Sequence, residues 1–265
     1  MPKSRDFQVE NLFSSIESWY NNYTSSFSSS DLSTEGALRL KEQHCRNVMD
    51  EIKSIGKSIN LSETQLEMAA VAGLLHDIGR FEQFLTYRTF LDKKSVNHAE
   101  LSVSIISREQ ILASADKYRG KTIIEAIQLH NKASLPHTEN SSLWLAKMLR
   151  DADKLDIWNV VLNHFRNPEQ KTKKAVELDL PDTESFSPQV VSSILNATPW
   201  NIKTLNYVND FKLILMGWVF DINFTHTYKE IKKRRILENL RDQLPDHRDV
   251  DSVFETCYSY LIKNV

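Results

Sequence analysis

Four histidines and two aspartates interrupt apolar stretches of this chain: His44 in LKEQHCRNVM, His76 and Asp77 in GLLHDIG, His98 in SVNHAELSVSII, His130 in IIEAIQLHN and Asp153 in MLRDADKLDIW. An imidazole or a carboxylate among apolar neighbours is costly to bury unless a partner compensates it. Drawn together between helices, the six would offer nitrogen and oxygen donors to a divalent cation, and the cation and the aspartates would offset each other's burial. Such donors suit Fe, Mn, Ni, Co, Zn or Mg, whereas the lack of thiolates among them disfavours soft-metal chemistry. Adjacent His76 and Asp77 stand about 100° apart around a helix axis, so both can face an ion lying beside it.

Helices must carry these residues, and the chain supplies the pattern. Apolar residues recur at helical spacing in Phe7 to Tyr23, before the Ser-rich SSFSSSD. A long amphipathic helix is predicted from Thr34, with Leu38, Leu40, Val48, Ile52 and Ile55 near one side. SETQ at Ser62 to Gln65 reads as a capping box opening a buried helix, which runs through LEMAAVAGLL towards His76; the alternative to metal ligation there is a helix that ends at Gly79 with His76 near its end. RTFLDKKSVNH reads as a loop, followed by helices over HAELSVSIISREQIL and TIIEAIQLHN, with Asn97 or His98 capping the first. Ser141 to Phe165 reads as one long helix. The polar connection NPEQKTKKAVELDLPDTESFSPQ follows, then helices over Pro188 to Asn196, Leu205 to Ile222, His226 to Leu244 and Val250 to Lys263.

The expected fold class is therefore all-α, a helical bundle with additional C-terminal helices. Three parts are expected: an N-terminal helix and Ser-rich loop over 1–33, a metal-binding helical core over 34–170, and a C-terminal extension over 171–265 that closes over the pocket or forms a homodimer face. Six glycines and seven prolines are few for this length, which suits helices better than sheets with their many turns. A net charge of -2 argues against a basic nucleic-acid surface. Two cysteines, Cys45 and Cys257, make no disulfide framework and fit a reducing compartment. MPKSRDFQVE lacks a signal-peptide core, and LILMGWVF (Leu213 to Phe220) is too short to span a bilayer, so it reads as a core helix. A cytoplasmic protein with no membrane partner is expected.

The order His44…His76-Asp77…Asp153 resembles the H…HD…D signature of the HD-domain superfamily of metal-dependent phosphohydrolases. With His98 and His130 added, it resembles the subset with H…HD…H…H…D, which holds two metals. The runs LLHDIGRFEQF, YRTFLDKKSVNHAELS and LRDADKLDIW extend the likeness to an uncharacterised bacterial branch, over roughly Leu38 to Phe165. No GYP triplet accompanies the HDIG, so the cyclic-di-GMP phosphodiesterase subtype is not indicated. Residues around His44 also lack the substrate-binding pattern of a guanosine-tetraphosphate hydrolase. The resemblance implies a first metal on His44, His76, Asp77 and Asp153, and a second on His98 and His130 with Asp77 bridging. Asp151 is a rival to Asp153; the two lie roughly 200° apart on a helix and cannot both reach one ion. Related motifs place the ligand before a basic residue and a leucine, as in Asp153-Lys154-Leu155.

The implied reaction is attack of metal-activated water on a phosphomonoester or phosphodiester of a small, nucleotide-like metabolite. Asp77 would serve at the metal, and Arg80 or Lys154 would stabilise the charge on the phosphoryl group. A di-iron oxygenase of a small polyol or phosphonate would use the same six ligands, and a non-catalytic ligand sensor would keep the fold. His137, His164, His226 and His247 read as surface residues, Lys171 to Lys174 as a solvated run, Cys45 as a small core residue, and the aromatic residues of LILMGWVF as core.

Overall fold

The computed structural model describes residues 12–136, 141–167, 173, 176–178, 180–196, 198 and 205–265, and the fold is all-α, with no strand among the described residues. The part that carries the six residues comprises α1 (Leu12–Ser25), α2 (Leu32–Ser58), α3 (Glu63–Leu75), α4 (Gly79–Tyr87), α5 (His98–Arg108), α6 (Lys117–Leu129) and α7 (Leu143–Arg166). Helix α3 lies at its centre, because every residue from Met68 to Leu75 is buried and it has no polar face to show solvent. Helices α2 and α7 pack against it and against each other. Gly73 lets α2 come close: a Cβ there would stand 2.8 Å from the Cα of Met49.

Local signals set most boundaries. The capping box at Ser62 is formed, with Ser62 Oγ accepting from the Gln65 N–H and Gln65 Oε1 accepting from the Ser62 N–H at 3.0 Å. Helix α2 starts before Thr34 because Asp31 accepts the Thr34 N–H at 2.8 Å. Helix α6 likewise starts ahead of the expected Thr122, since Asp116 accepts from the Tyr118 and Arg119 N–H groups at 3.0 Å. The first helix is seen over Leu12–Ser25, and residues 7–11 of its expected span lie outside the described residues.

Gly79 does not end a helix. Helix α3 stops at Leu75, His76 to Ile78 form a turn, and Gly79 opens α4. A Cβ on Gly79 would lie 2.6 Å from the His98 carbonyl oxygen and 2.7 Å from the Ser102 nitrogen. Ser102 Oγ accepts the Gly79 N–H at 2.9 Å and donates to the His76 carbonyl at 2.8 Å. These contacts fasten the His76-Asp77 turn to the start of α5.

Beyond α7 come α8 (Pro188–Leu195), α9 (Val208–Gly217), a 3-10 turn (Trp218–Asp221), α10 (Thr225–Lys233), α11 (Ile236–Arg241) and α12 (Arg248–Asn264). The helix expected over Leu205 to Ile222 is thus α9 and the 3-10 turn. The one expected over His226 to Leu244 breaks at Arg235, which is left-handed at φ 52°. Apolar register explains the break: Tyr228 and Ile231 share a face, but the next buried apolar residue is Ile236, which a continuous helix would rotate off it. Helix α7 is the common spine. Leu145, Ala146, Met148, Leu149 and Ala152 pack into the core of α1 to α6, while Leu155, Trp158, Val161 and Leu162 pack with the C-terminal helices. No helix among the described residues is long and apolar enough to cross a membrane. Cys45 and Cys257 are buried and unpaired.

Candidate metal centre

The structure brings all six residues together. His44 comes from the middle of α2, His76 and Asp77 from the turn after α3, His98 from the first position of α5, His130 from the end of α6, and Asp153 from α7. His44 Nε2 lies 3.1 Å from Asp153 Oδ1 and 3.6 Å from Asp77 Oδ2. His76 Nε2 lies 3.6 and 3.7 Å from the same two oxygens. On the other side, His98 Nε2 stands 3.3 Å from Asp77 Oδ1 and 3.1 Å from His130 Nε2. Asp77 therefore faces His44 and His76 with Oδ2 and His98 with Oδ1. Three overlapping donor groups, His44–His76–Asp77, His76–His130–Asp153 and Asp77–His98–His130, each keep their atoms within 4.8 Å of one another.

Every imidazole is turned the same way. Nδ1 of His76 donates to the Gly73 carbonyl at 2.8 Å, and Nδ1 of His130 to the Ile127 carbonyl at 2.7 Å. His44 and His98 give theirs to the carboxylates of Asp156 and Asp92, each at 2.7 Å. A carbonyl or carboxylate oxygen only accepts, so the proton of each neutral ring sits on Nδ1 and the Nε2 lone pair points inward. Two such lone pairs face each other at 3.1 Å between His98 and His130, an arrangement that repels unless a positive charge lies between them. His44 Nε2, His76 Nε2 and Asp77 Oδ1 are buried without an aligned hydrogen-bond partner. Orphaned inward-facing donors of this kind fit a cation bound by nitrogen and oxygen.

Electrostatics agree with that fit. Burial opposes charge on Asp77, but Lys41, His76, Arg80 and His98 outweigh it and hold the carboxyl well below its usual range. Asp153 is likewise held ionised against burial by His44 and His76. Burial, then the neighbouring His98 and His76, push His130 down to about 3, and burial followed by Arg80 lowers His98. Both rings stay neutral, the form in which imidazole binds metal. His44 differs: burial and Lys41 oppose its charge, yet Asp153 and Asp156 prevail and make it more basic.

Asp151 and Asp153 are separated by their surroundings. Asp151 accepts from the Asn223 and Phe224 backbone N–H groups at 3.0–3.1 Å and from Asn223 Nδ2 at 2.9 Å, tying α7 to the start of α10. Asn97, not His98, caps α5, accepting from the Ala99 and Glu100 N–H groups.

A cavity of about 580 Å³ opens onto the cluster, and Lys41, Arg80, Arg150 and Lys154 stand in its wall beside His44, His98, His130 and Asp153. Lys41 Nζ donates to Asp77 Oδ2 at 2.8 Å. Arg80 donates to Gln83 and to Asp92 Oδ1 at 2.9 Å and to the Phe90 carbonyl, with Nε 3.4 Å from Asp77 Oδ1, so it joins the two carboxylates. Lys154 and Arg150 both donate to Asp221 Oδ2, at 2.8 and 2.5 Å.

Several expectations need correction. His164 is buried on α7 and pairs with Glu177 at 2.9 Å, because its neighbours Val161 and Leu162 turn that stretch inward. His226 is half-buried against Ser54. His247 is exposed, as expected, while His137 lies outside the described residues. Of Lys171 to Lys174 only Lys173 is described, and it is exposed. Trp218 and Phe220 are half-buried cavity wall, not core. Sequence reasoning missed Asp92, Asp156, Lys41 and Arg150. For Asp156 and Lys41 a signal existed, since they stand one helical turn from Asp153 and His44 respectively. Nothing in the spacing marks Asp92 or Arg150.

A family model described as the HD domain matches residues 42–186, a span that contains all six donors. A Bacillus subtilis (strain 168) protein named "Putative phosphohydrolase YueE" is 31% identical over 117 residues, which cover 43% of this chain and 66% of that protein. No solved structure matches at a significant level. With its inward-facing His and Asp donors inside a family match that spans more than half its length, this chain belongs to the HD-domain family.

Proposed function

We propose that the protein is a metal-dependent phosphohydrolase of a small phosphate ester. The convergence of four Nε2 lone pairs on Asp77 and Asp153, at the floor of a cavity walled by Lys and Arg, carries this reading. His44, His76, Asp77 and Asp153 would hold one divalent ion, and His98 and His130 a second with Asp77 shared. When bound, such ions activate water for attack and neutralise charge on a phosphoryl oxygen. The chain's own residues do the rest. Lys41 and Arg80 fix Asp77 from outside the cluster, and Asp92 and Asp156 hold His98 and His44 in the ligating tautomer. Lys154 and Arg150 offer cations to an ester phosphate at the cavity wall, where burial and Arg150 already push the Lys154 ammonium below its usual range. These basic groups favour an anionic substrate over a neutral polyol, while a phosphonate, the other substrate expected of a di-iron oxygenase, is told from an ester by oxygen uptake. The test is phosphate release from a panel of esters by protein loaded with Mn, Ni, Co, Mg or Fe, with oxygen uptake followed in parallel. Phosphate release supports the reading; oxygen uptake by iron-loaded protein with no phosphate release contradicts it.

The positioning of His44 gives a further expectation. Asp156→Ala removes the acceptor for its Nδ1 proton, at 2.7 Å, while leaving the ring in place. Metal affinity, measured by competition with a chromophoric chelator, should fall by about 10- to 100-fold. A variant that melts earlier yet binds metal as the parent does would restrict Asp156 to a packing role.

A further inference from the structure

Building on the phosphohydrolase reading, we infer that the ester this site accepts carries a bulky apolar group, not a nucleoside. Helix α7 runs from the metal cluster into the cavity, and Asp153, Ile157 and Val160 recur at i, i+4 and i+7, along one face of it. At 1.5 Å per residue, Val160 stands about 10 Å along the helix from Asp153. The same cavity is lined by Ile194 from α8, Phe211 from α9, and Trp218 and Phe220 from the 3-10 turn. Ile157, Val160, Phe211, Trp218 and Phe220 all line this cavity and are each only half-buried, so they leave apolar surface uncovered. Lys41, Arg80, Arg150 and Lys154 sit at the metal end. The cavity is therefore charged where a phosphate would sit and apolar beyond it.

A nucleoside does not match that division. Past the phosphate, the polar groups of its sugar and base would meet Ile157, Val160 and Phe211, with Asp221 Oδ2 already accepting from Lys154 and Arg150, and a buried polar group without a partner is costly. Apart from its charged and histidine side chains and Asn131, the polar side chains among the described lining residues are Ser193 and Thr198, and Thr198 Oγ1 already donates to the Ser193 carbonyl at 3.2 Å. An alkyl or aryl group loses water-exposed apolar surface there without leaving a polar atom unpaired. In hydrolysis of such a monoester the water oxygen bonds to phosphorus, the P–O bond to the alcohol breaks, and the apolar alcohol leaves with a proton from that water.

Two measurements on the manganese-loaded full chain test this. The first compares kcat/KM for hexyl phosphate and 1-naphthyl phosphate with glycerol phosphate and adenosine 5′-monophosphate; the apolar esters should lead by about tenfold or more, as pocket contacts with a few carbons allow. The second needs no turnover: calorimetric titration should find hexylphosphonate bound at least about tenfold more tightly than methylphosphonate. Phe211→Ala and the more disruptive Phe211→Asp should both narrow these ratios, the former with little demand on folding. Equal or better turnover of the nucleotide, with the two phosphonates bound alike, would overturn the inference. Tight hexylphosphonate binding with no phosphate released from any ester would support the apolar chamber and overturn the hydrolase reading instead.

Discussion

Asp77→Asn should reduce metal affinity and phosphate release by well over roughly a hundredfold, since loss of a partner one shell further out already costs about 10- to 100-fold. Both halves of the cluster suffer, because Asp77 Oδ2 faces His44 and His76 while Oδ1 faces His98. The substitution keeps the side chain's shape and an oxygen for Lys41, which now donates at 2.8 Å, so the fold should survive. It removes the negative charge that Lys41, Arg80 and His98 favour on this buried carboxyl. Elemental analysis and an ester assay on the same preparation read both effects. Retention of metal with normal turnover would show that Asp77 is a structural counter-ion to Lys41 and Arg80.

A second large effect should separate two carboxylates that lie two positions apart on one helix. Asp151→Ala removes, from a buried position, the acceptor shared by the Asn223 and Phe224 N–H groups and the Asn223 amide. Asn223 is exposed and Phe224 half-buried, so water meets part of the loss, and about 1–3 kcal/mol in all is expected. For a chain of this size that corresponds to about 2–12 °C in Tm. Metal affinity of the molecules that remain folded should change little. Asp153→Ala should do the reverse: metal affinity falls, and thermal stability in chelator stays near the parent's, because the partners of Asp153 are the His44 and His76 rings, which carry their own Nδ1 bonds. Denaturation in chelator, paired with metal titration, gives both quantities. Equal losses of stability and affinity in the two variants would contradict the division of roles.

The legible part of this protein was the chemistry that conflicts with its local setting. His44, His76, Asp77, His98, His130 and Asp153 stand out because apolar helices do not bury such groups without a reason, and the structure places them together. The capping box at Ser62 was legible because its partners are three residues apart. Asp92 was not, since its value depends on which ring it meets, and Asp156, though one helical turn from Asp153, meets a ring 112 positions away. His164 was misjudged because its pairing with Glu177 arises only when the chain folds back past the end of α7. Trp218 and Phe220 were misjudged for a different reason: hydropathy marks a side chain as apolar but does not distinguish packed core from the wall of a cavity. The turn at His76 to Ile78 was hidden behind Gly79, whose demand is close approach to His98 and Ser102, not a helix end.

Anomalous diffraction from crystals grown with manganese examines the centre itself. A peak within bonding distance of His44 Nε2, His76 Nε2, Asp77 and Asp153, with a second between His98 and His130 on the other Asp77 oxygen, is the predicted result. Crystals that show no anomalous density among these six side chains, at manganese concentrations that load other sites, would contradict it.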